Sequence, residues 1–101
     1  MLKRDKQLLE KHNCLSLLNA IEKNNPFCGG EYIILSSPSS EVAEAGKWLS
    51  SEFHEINTYD YEGENIISIS SSFSYLENFE LTNRVKDMLY CLDEVCRDFG
   101  F

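Results

Sequence analysis

The chain has 101 residues, an ordinary apolar content of 43% and a net charge of −8. This length fits one compact domain covering residues 1–101, and the apolar content lies well above that of disordered chains. A negative field repels nucleic-acid phosphates and anionic membranes, so direct binding to either is not expected.

The first residues are charged and lack the apolar run of a signal peptide. Nothing in the chain approaches the roughly 20 apolar residues that a membrane-spanning helix requires. We therefore expect a cytoplasmic protein, in which the four cysteines remain reduced.

Apolar periodicity predicts a first helix over residues 4–24, which Pro26 prevents from continuing. Residues 32–35 form a nearly continuous apolar run, which is typical of a strand covered on both faces. Serines follow this strand, and a second helix is predicted to begin near Glu41 with a serine capping its free amides.

Residues 55–61 and 65–73 are predicted to be strands joined by a hairpin whose turn contains Gly63. A last helix is predicted over residues 78–99, where apolar residues recur at spacings of three and four.

The element order α-β-α-β-β-α predicts an α+β fold in which three helices pack on a small three-stranded sheet, mixed or antiparallel. The 65–73 strand is the more apolar of the hairpin pair, so we place it in the centre. The 55–61 strand, which carries acids and tyrosines, is then an edge strand.

Charge is distributed unevenly along the chain. Residues 1–24 hold five bases against three acids, a net charge of +2, whereas residues 25–101 hold four bases against fourteen acids, a net charge of −10. No lysine or arginine lies between Lys47 and Arg84. That stretch carries seven acids, Glu52, Glu55, Asp60, Glu62, Glu64, Glu77 and Glu80. Acids without local partners stay solvated, bind a metal, or pair with a cationic partner.

Metal binding is not expected from the cysteine and histidine spacing. His12 and Cys14 lie on a predicted helix at a separation that points them about 200° apart, and Cys91 and Cys96 diverge by about 140°. Neither pair can close on one ion, and no paired zinc motif is present.

Catalysis is not expected either, and no cofactor is implied. Cys28 precedes glycines in a predicted turn, and His54 is a conceivable base, but neither of the two histidines lies in a recognisable motif. The serine cluster at residues 36–40 lacks the glycines and the lysine of a phosphate-binding loop, so helix capping explains it more simply.

The segment 58–64 is the strongest candidate for a binding surface. Tyr59 and Tyr61 share one face of their strand, and tyrosine combines a large rigid ring with a polar tip, as interface hot spots require. Interleaved carboxylates would complement lysine and arginine. The alternative is that the rings cover the sheet and the acids only solvate the turn. The predicted partner-binding residues are Tyr59, Asp60, Tyr61, Glu62 and Glu64, with Glu52, Glu55, Glu77 and Glu80 around them.

These observations lead to the hypothesis of a small acidic cytosolic protein that inhibits a basic protein partner. Bacterial immunity proteins, which neutralise nuclease toxins, have this size and charge, because a toxin site that grips phosphates presents lysines and arginines. This is an analogy of class, and no motif aligns the chain with an immunity family. The alternatives are a phage-type DNA mimic that inhibits restriction or CRISPR enzymes, and a secretion chaperone or dimeric adaptor.

Overall fold

The structure is a computed structural model that describes residues 1–24, 30–70 and 83–100. In these ranges the elements are α1 (Lys3–Lys11), α2 (Leu15–Lys23), β1 (Glu31–Ser37), α3 (Ser40–Glu52), β2 (Ile56–Tyr61), β3 (Glu64–Ser70) and α4 (Asn83–Asp98). The predicted α+β class and three-stranded sheet are confirmed, with four described helices in place of the three expected. Residues 71–73 of the predicted central strand and 78–82 of the predicted last helix lie outside the described residues.

The sheet is antiparallel, with β3 lying between β1 and β2. This confirms the central position predicted for the more apolar strand of the hairpin. Glu62 and Gly63 form the two-residue turn, and both adopt left-handed backbone angles, with φ of 51° and 83°. Positive φ at both positions is the geometry of a type I′ turn, whose twist matches that of the two strands. The turn sets the hairpin register, in which Tyr61 lies opposite Glu64.

The first predicted helix is wrong as a single element, because the chain breaks it between α1 and α2. Asn13 adopts φ of 57°, a conformation that asparagine tolerates better than most residues. The amide of Cys14 donates to the carbonyl of Leu9 at 2.8 Å, and that of Asn13 donates to Glu10 at 3.1 Å. This pair of bonds is a Schellman motif, which ends α1 with its last carbonyls satisfied. The break lets α1 and α2 pack against each other.

The hydrophobic core lies on one face of the sheet. Ile67 and Ile69 of β3 are fully buried in a cluster that also contains residues of all four described helices. Helix α3 approaches the sheet closely at Gly46, where a Cβ atom would lie 3.0 Å from Cγ1 of Ile67 and would clash with the hydroxyl of Thr58. Thr58 therefore faces the helices. The N-terminus of α3 is capped as predicted, since the Ser39 hydroxyl accepts from the amide of Glu41 at 3.1 Å.

None of the described helices combines the length and apolar character needed to cross a membrane.

The N-terminus of α2 is capped by a residue of α4. The N-cap position is occupied by Cys14, whose side chain makes no capping hydrogen bond. Instead, Oδ1 of Asp93 accepts from the amide of Leu17 at 2.9 Å. Oδ2 of the same carboxylate accepts from Arg97 at 2.9 Å, one turn further along α4. Asp93 is only 5% exposed, so this carboxylate ties two helices together from inside the protein.

Asp93→Ala should lower the free energy of unfolding by about 2 kcal/mol, because the amide of Leu17 would be left buried without an acceptor. Arg97→Ala should cost less than Asp93→Ala, since the Arg97 side chain is largely exposed and the amide of Leu17 keeps its acceptor. Urea unfolding of both variants measures this difference. Equal losses would show that the ion pair, rather than the cap, carries the stabilisation.

Candidate functional site

The face of the sheet opposite the core carries a groove, and we call this face the outer face. The outer face consists of the side chains that alternate with the core-facing ones along each strand. Ile66 is buried but lies outside the main core cluster, and Ile33 is only partly buried. The groove has a volume of about 650 Å³. Its lining residues come from all three strands and the end of α2: Asn24, Glu31, Ile33, Ser36, Tyr59, Tyr61 and Ile66.

Both tyrosines predicted for partner binding lie on the outer face. Thr58 faces α3, so Tyr59 and Tyr61 point away from the core. Tyr59 is 40% exposed and Tyr61 is 62% exposed. The predicted common orientation is therefore observed, and neither ring is enclosed in the interior.

Tyr59 connects the two edge strands across β3. Its hydroxyl donates to Oε1 of Glu31 at 2.7 Å, although Tyr59 belongs to β2 and Glu31 to β1. In the register, Tyr59 lies opposite Ile66 and Glu31 lies opposite Ser70, so this contact passes over Ser68. Ser68 is fully buried although it belongs to the outer face. Its hydroxyl lies beside the phenol without a well-aligned hydrogen bond among the described residues.

The pKa of Tyr59 is raised from 10.0 to about 12. Burial of the phenol is the largest cause, and the hydrogen bond to Glu31 and its negative charge act in the same direction. Proximity of the Ser68 hydroxyl offsets a part of this rise. At neutral pH the phenol therefore stays protonated and keeps the Glu31 carboxylate oriented toward it.

The remaining residues predicted around the turn do not all share the outer face. Asp60 lies between the two tyrosines in the strand, so its side chain points to the same side as Thr58. Glu62 is exposed in the turn itself. Glu64 lies opposite Tyr61 on the outer face, and its Oε2 atom is buried with no hydrogen-bond partner in the described part of the chain.

Glu52 and Glu55 lie at the other end of the hairpin, near the end of α3 and the start of β2. A six-residue strand spans about 20 Å, so these acids are well separated from the turn. Glu55 forms an ion pair with Arg84, which compensates one of the seven acids. Glu77 and Glu80 lie outside the described residues.

Three lysines of the basic N-terminal segment do not supply this compensation. Helix α1 packs chiefly against α2. The side chains of Lys3, Lys6 and Lys11 are exposed, and no described ion pair joins these three lysines to hairpin carboxylates. A hydrogen bond of 2.6 Å from the Tyr32 hydroxyl to Asp5 links α1 to β1 on the core face.

Sequence reasoning missed Glu31, Ile33, Ser36 and Ile66 as parts of the candidate site. The run of residues 32–35 was predicted to be covered on both faces, whereas Ile33 is partly exposed in the groove. Glu31 and Ile33 are two residues apart, so in a strand they share one face. The polar Glu31 on that face indicated that it could be exposed to solvent. Which residue Glu31 would meet depends on the register with β3, which no local pattern specifies.

The described cysteines are poor candidates for nucleophiles or metal ligands. Burial raises the pKa of Cys14 to about 11 and that of Cys96 to about 12, with the negative charge of Asp93 adding to both. Both remain protonated at neutral pH. No group of three side chains that could hold a metal ion occurs among residues 1–24, 30–70 and 83–100. Cys28 lies outside these ranges.

Glu31→Gln should lower the pKa of Tyr59 from about 12 toward 10.0, without reaching it because burial remains. A raised folded-state pKa means that folding favours the neutral phenol, so this stabilisation is complete below about pH 10 and is lost as the pH rises through about 12. NMR titration of the tyrosine ring carbons measures the shift. Glu64→Gln, on the same face without a hydrogen bond to Tyr59, is the control, and an equal decrease there would contradict the assignment to Glu31.

Comparison with protein-family models, with curated proteins and with solved structures finds no match to this chain. Its function is therefore argued from the geometry and charge of the outer face.

Proposed function

We propose that the protein is a small acidic binding protein that inhibits a basic protein partner, as bacterial immunity proteins inhibit nuclease toxins. The observation that carries this proposal is the outer face, where two exposed tyrosines stand beside carboxylates. Glu31 lines the groove together with Tyr59 and Tyr61, and Glu64 lies opposite Tyr61 on the same face. Glu62 is exposed in the adjoining turn, and no lysine or arginine is found among the described residues that line the groove. This composition suits a cationic protein surface.

The side chains of the groove fit an inhibitor that contacts an ordinary protein surface better than a DNA mimic, which would occupy the nucleic-acid-binding site of an enzyme. Such a mimic needs carboxylates spaced like phosphates along its surface. Here the described lining of the groove holds one carboxylate, that of Glu31, together with the aliphatic Ile33 and Ile66 and the aromatic Tyr59 and Tyr61. A mixed aromatic and aliphatic centre with a polar rim is the usual anatomy of a protein interface.

Successive side chains of β2 point to opposite faces of the sheet. This provides a matched pair of substitutions for testing whether the outer face binds the partner. Glu62→Lys reverses an exposed charge in the turn next to Tyr61, whereas Asp60→Lys makes the same charge change on the face opposite the two tyrosines. Both positions are exposed, so both variants should fold.

For a partner captured from native cytosol by the wild-type protein, we expect Glu62→Lys to weaken binding at least tenfold and Asp60→Lys to change it less than threefold. Tyr61→Ala should also weaken binding at least tenfold, as truncation of an interface hot spot does. Isothermal titration calorimetry with the purified partner measures all three, and a nuclease assay shows whether binding inhibits it. If both lysine variants weaken binding equally, the partner is attracted by net charge and not by a defined face. If none of the three variants weakens binding, the outer face is not the binding surface.

A dimeric adaptor is the second candidate, and it is favoured by Trp48. The indole of the chain's single tryptophan lies on α3 and is 52% exposed. Exposed aromatic surface of this kind often marks an interface.

Under the adaptor hypothesis the wild-type protein should sediment as a dimer and Trp48→Glu as a monomer, because a carboxylate cannot be buried unpaired in an apolar interface. Analytical ultracentrifugation over a range of concentrations measures this. A monomeric wild-type protein at high micromolar concentration would contradict the adaptor hypothesis.

A further inference from the structure

The groove of the outer face combines an acidic group on one edge strand with two tyrosines on the other, and the phenol of Tyr59 reaches across β3 to the acidic group. Glu31 lies on β1, and Tyr59 and Tyr61 lie on β2. A carboxylate can accept about four hydrogen bonds, and the described contacts of Glu31 use one, from the Tyr59 hydroxyl at 2.7 Å. The remaining acceptor capacity is available to a donor entering the groove.

The Tyr59 hydroxyl also prepares the carboxylate for such a donor. It holds one oxygen of Glu31 and thereby limits the rotation of a flexible side chain. A carboxylate oriented before binding loses less conformational freedom when a ligand arrives. Glu31 has no cationic partner among the described residues, so its charge is not yet compensated.

The other walls of the groove match an arginine side chain better than a lysine. A guanidinium group stacks on tyrosine rings and donates two parallel hydrogen bonds to one carboxylate, whereas an ammonium group offers a point charge. Ile33 and Ile66 supply apolar surface for the methylene stem. A volume of about 650 Å³ is within the range of ligand-binding pockets and leaves room for the backbone beside the arginine.

We propose that this groove binds an arginine side chain from an extended segment of the partner, with the guanidinium group paired to Glu31 and stacked against the ring of Tyr59. Charge complementarity selects this occupant, because an acidic or phosphorylated segment would be repelled by Glu31. The inference rests on the proposed function and names the chemistry that the basic partner presents.

The test uses the full chain, labelled with ¹⁵N, and two short peptides. The probe is acetyl-Gly-Arg-Gly-amide, and its matched control contains citrulline, which has nearly the same shape without the charge. We expect saturable amide shifts confined to the groove strands for the arginine peptide, with an affinity at least fivefold higher than for the citrulline peptide. Equal shifts for both peptides, or shifts centred elsewhere, would overturn the proposal.

Three single-residue variants test whether Glu31 is the residue that binds the arginine peptide. Glu31→Gln should weaken arginine-peptide binding at least fivefold, whereas Glu44→Gln, which removes an exposed charge from α3, should change it less than twofold. Tyr59→Phe retains the ring and removes the hydroxyl, so it should cause an intermediate loss and serves as the second test if Glu31→Gln folds poorly. Equal effects of Glu31→Gln and Glu44→Gln would overturn the proposal.

The two proposals fail separately. If Glu62→Lys weakens binding of the captured partner but the arginine peptide does not bind the groove, the arginine assignment is wrong and the binding function stands. If the arginine peptide binds through Glu31 but no basic partner is found, the groove assignment stands and the inhibitory function is wrong.

Discussion

The described helices pack against one face of a three-stranded sheet, and this one-sided burial determines where the remaining features lie. Ile67, Ile69 and Thr58 face the helices, so the alternate residues of the same strands occupy the outer face. There the hydroxyl of Tyr59 bonds to Glu31 across the central strand and covers Ser68. The groove exists because the two edge strands carry large side chains on the face that these helices leave uncovered.

Much of the fold could be predicted from local patterns. The glycine turn predicted the hairpin, the apolar content of β3 predicted its central place, and the serines before α3 predicted its cap. The break at Asn13 could not be predicted, because its helical neighbours continue the apolar periodicity and asparagine is only a weak signal for a left-handed residue. There the Schellman hydrogen bonds and the packing of α1 on α2 outweigh continuation of the helix.

The candidate site was predictable only in part, and for a comparable reason. The common face of Tyr59 and Tyr61 follows from strand alternation alone, which also implies that Asp60 points elsewhere. The contribution of Glu31 depends on pairing between strands that are distant in sequence, including the register shift between Ile33 and Leu35. The pairing of Arg84 with Glu55 is similarly non-local, and it reduces the acidic surface at the far end of the hairpin.

The capping of α2 by Asp93 has a consequence for the order in which the chain can acquire its structure. The two bonded residues are 76 positions apart in the sequence. Contacts between distant residues require closure of a long loop before they contribute, which slows folding. During translation α2 is synthesised before α4, so the amide of Leu17 gains its acceptor only after a further 76 residues have been added. A chain truncated before α4 would therefore lack both the apolar surface and the acceptor that α2 needs.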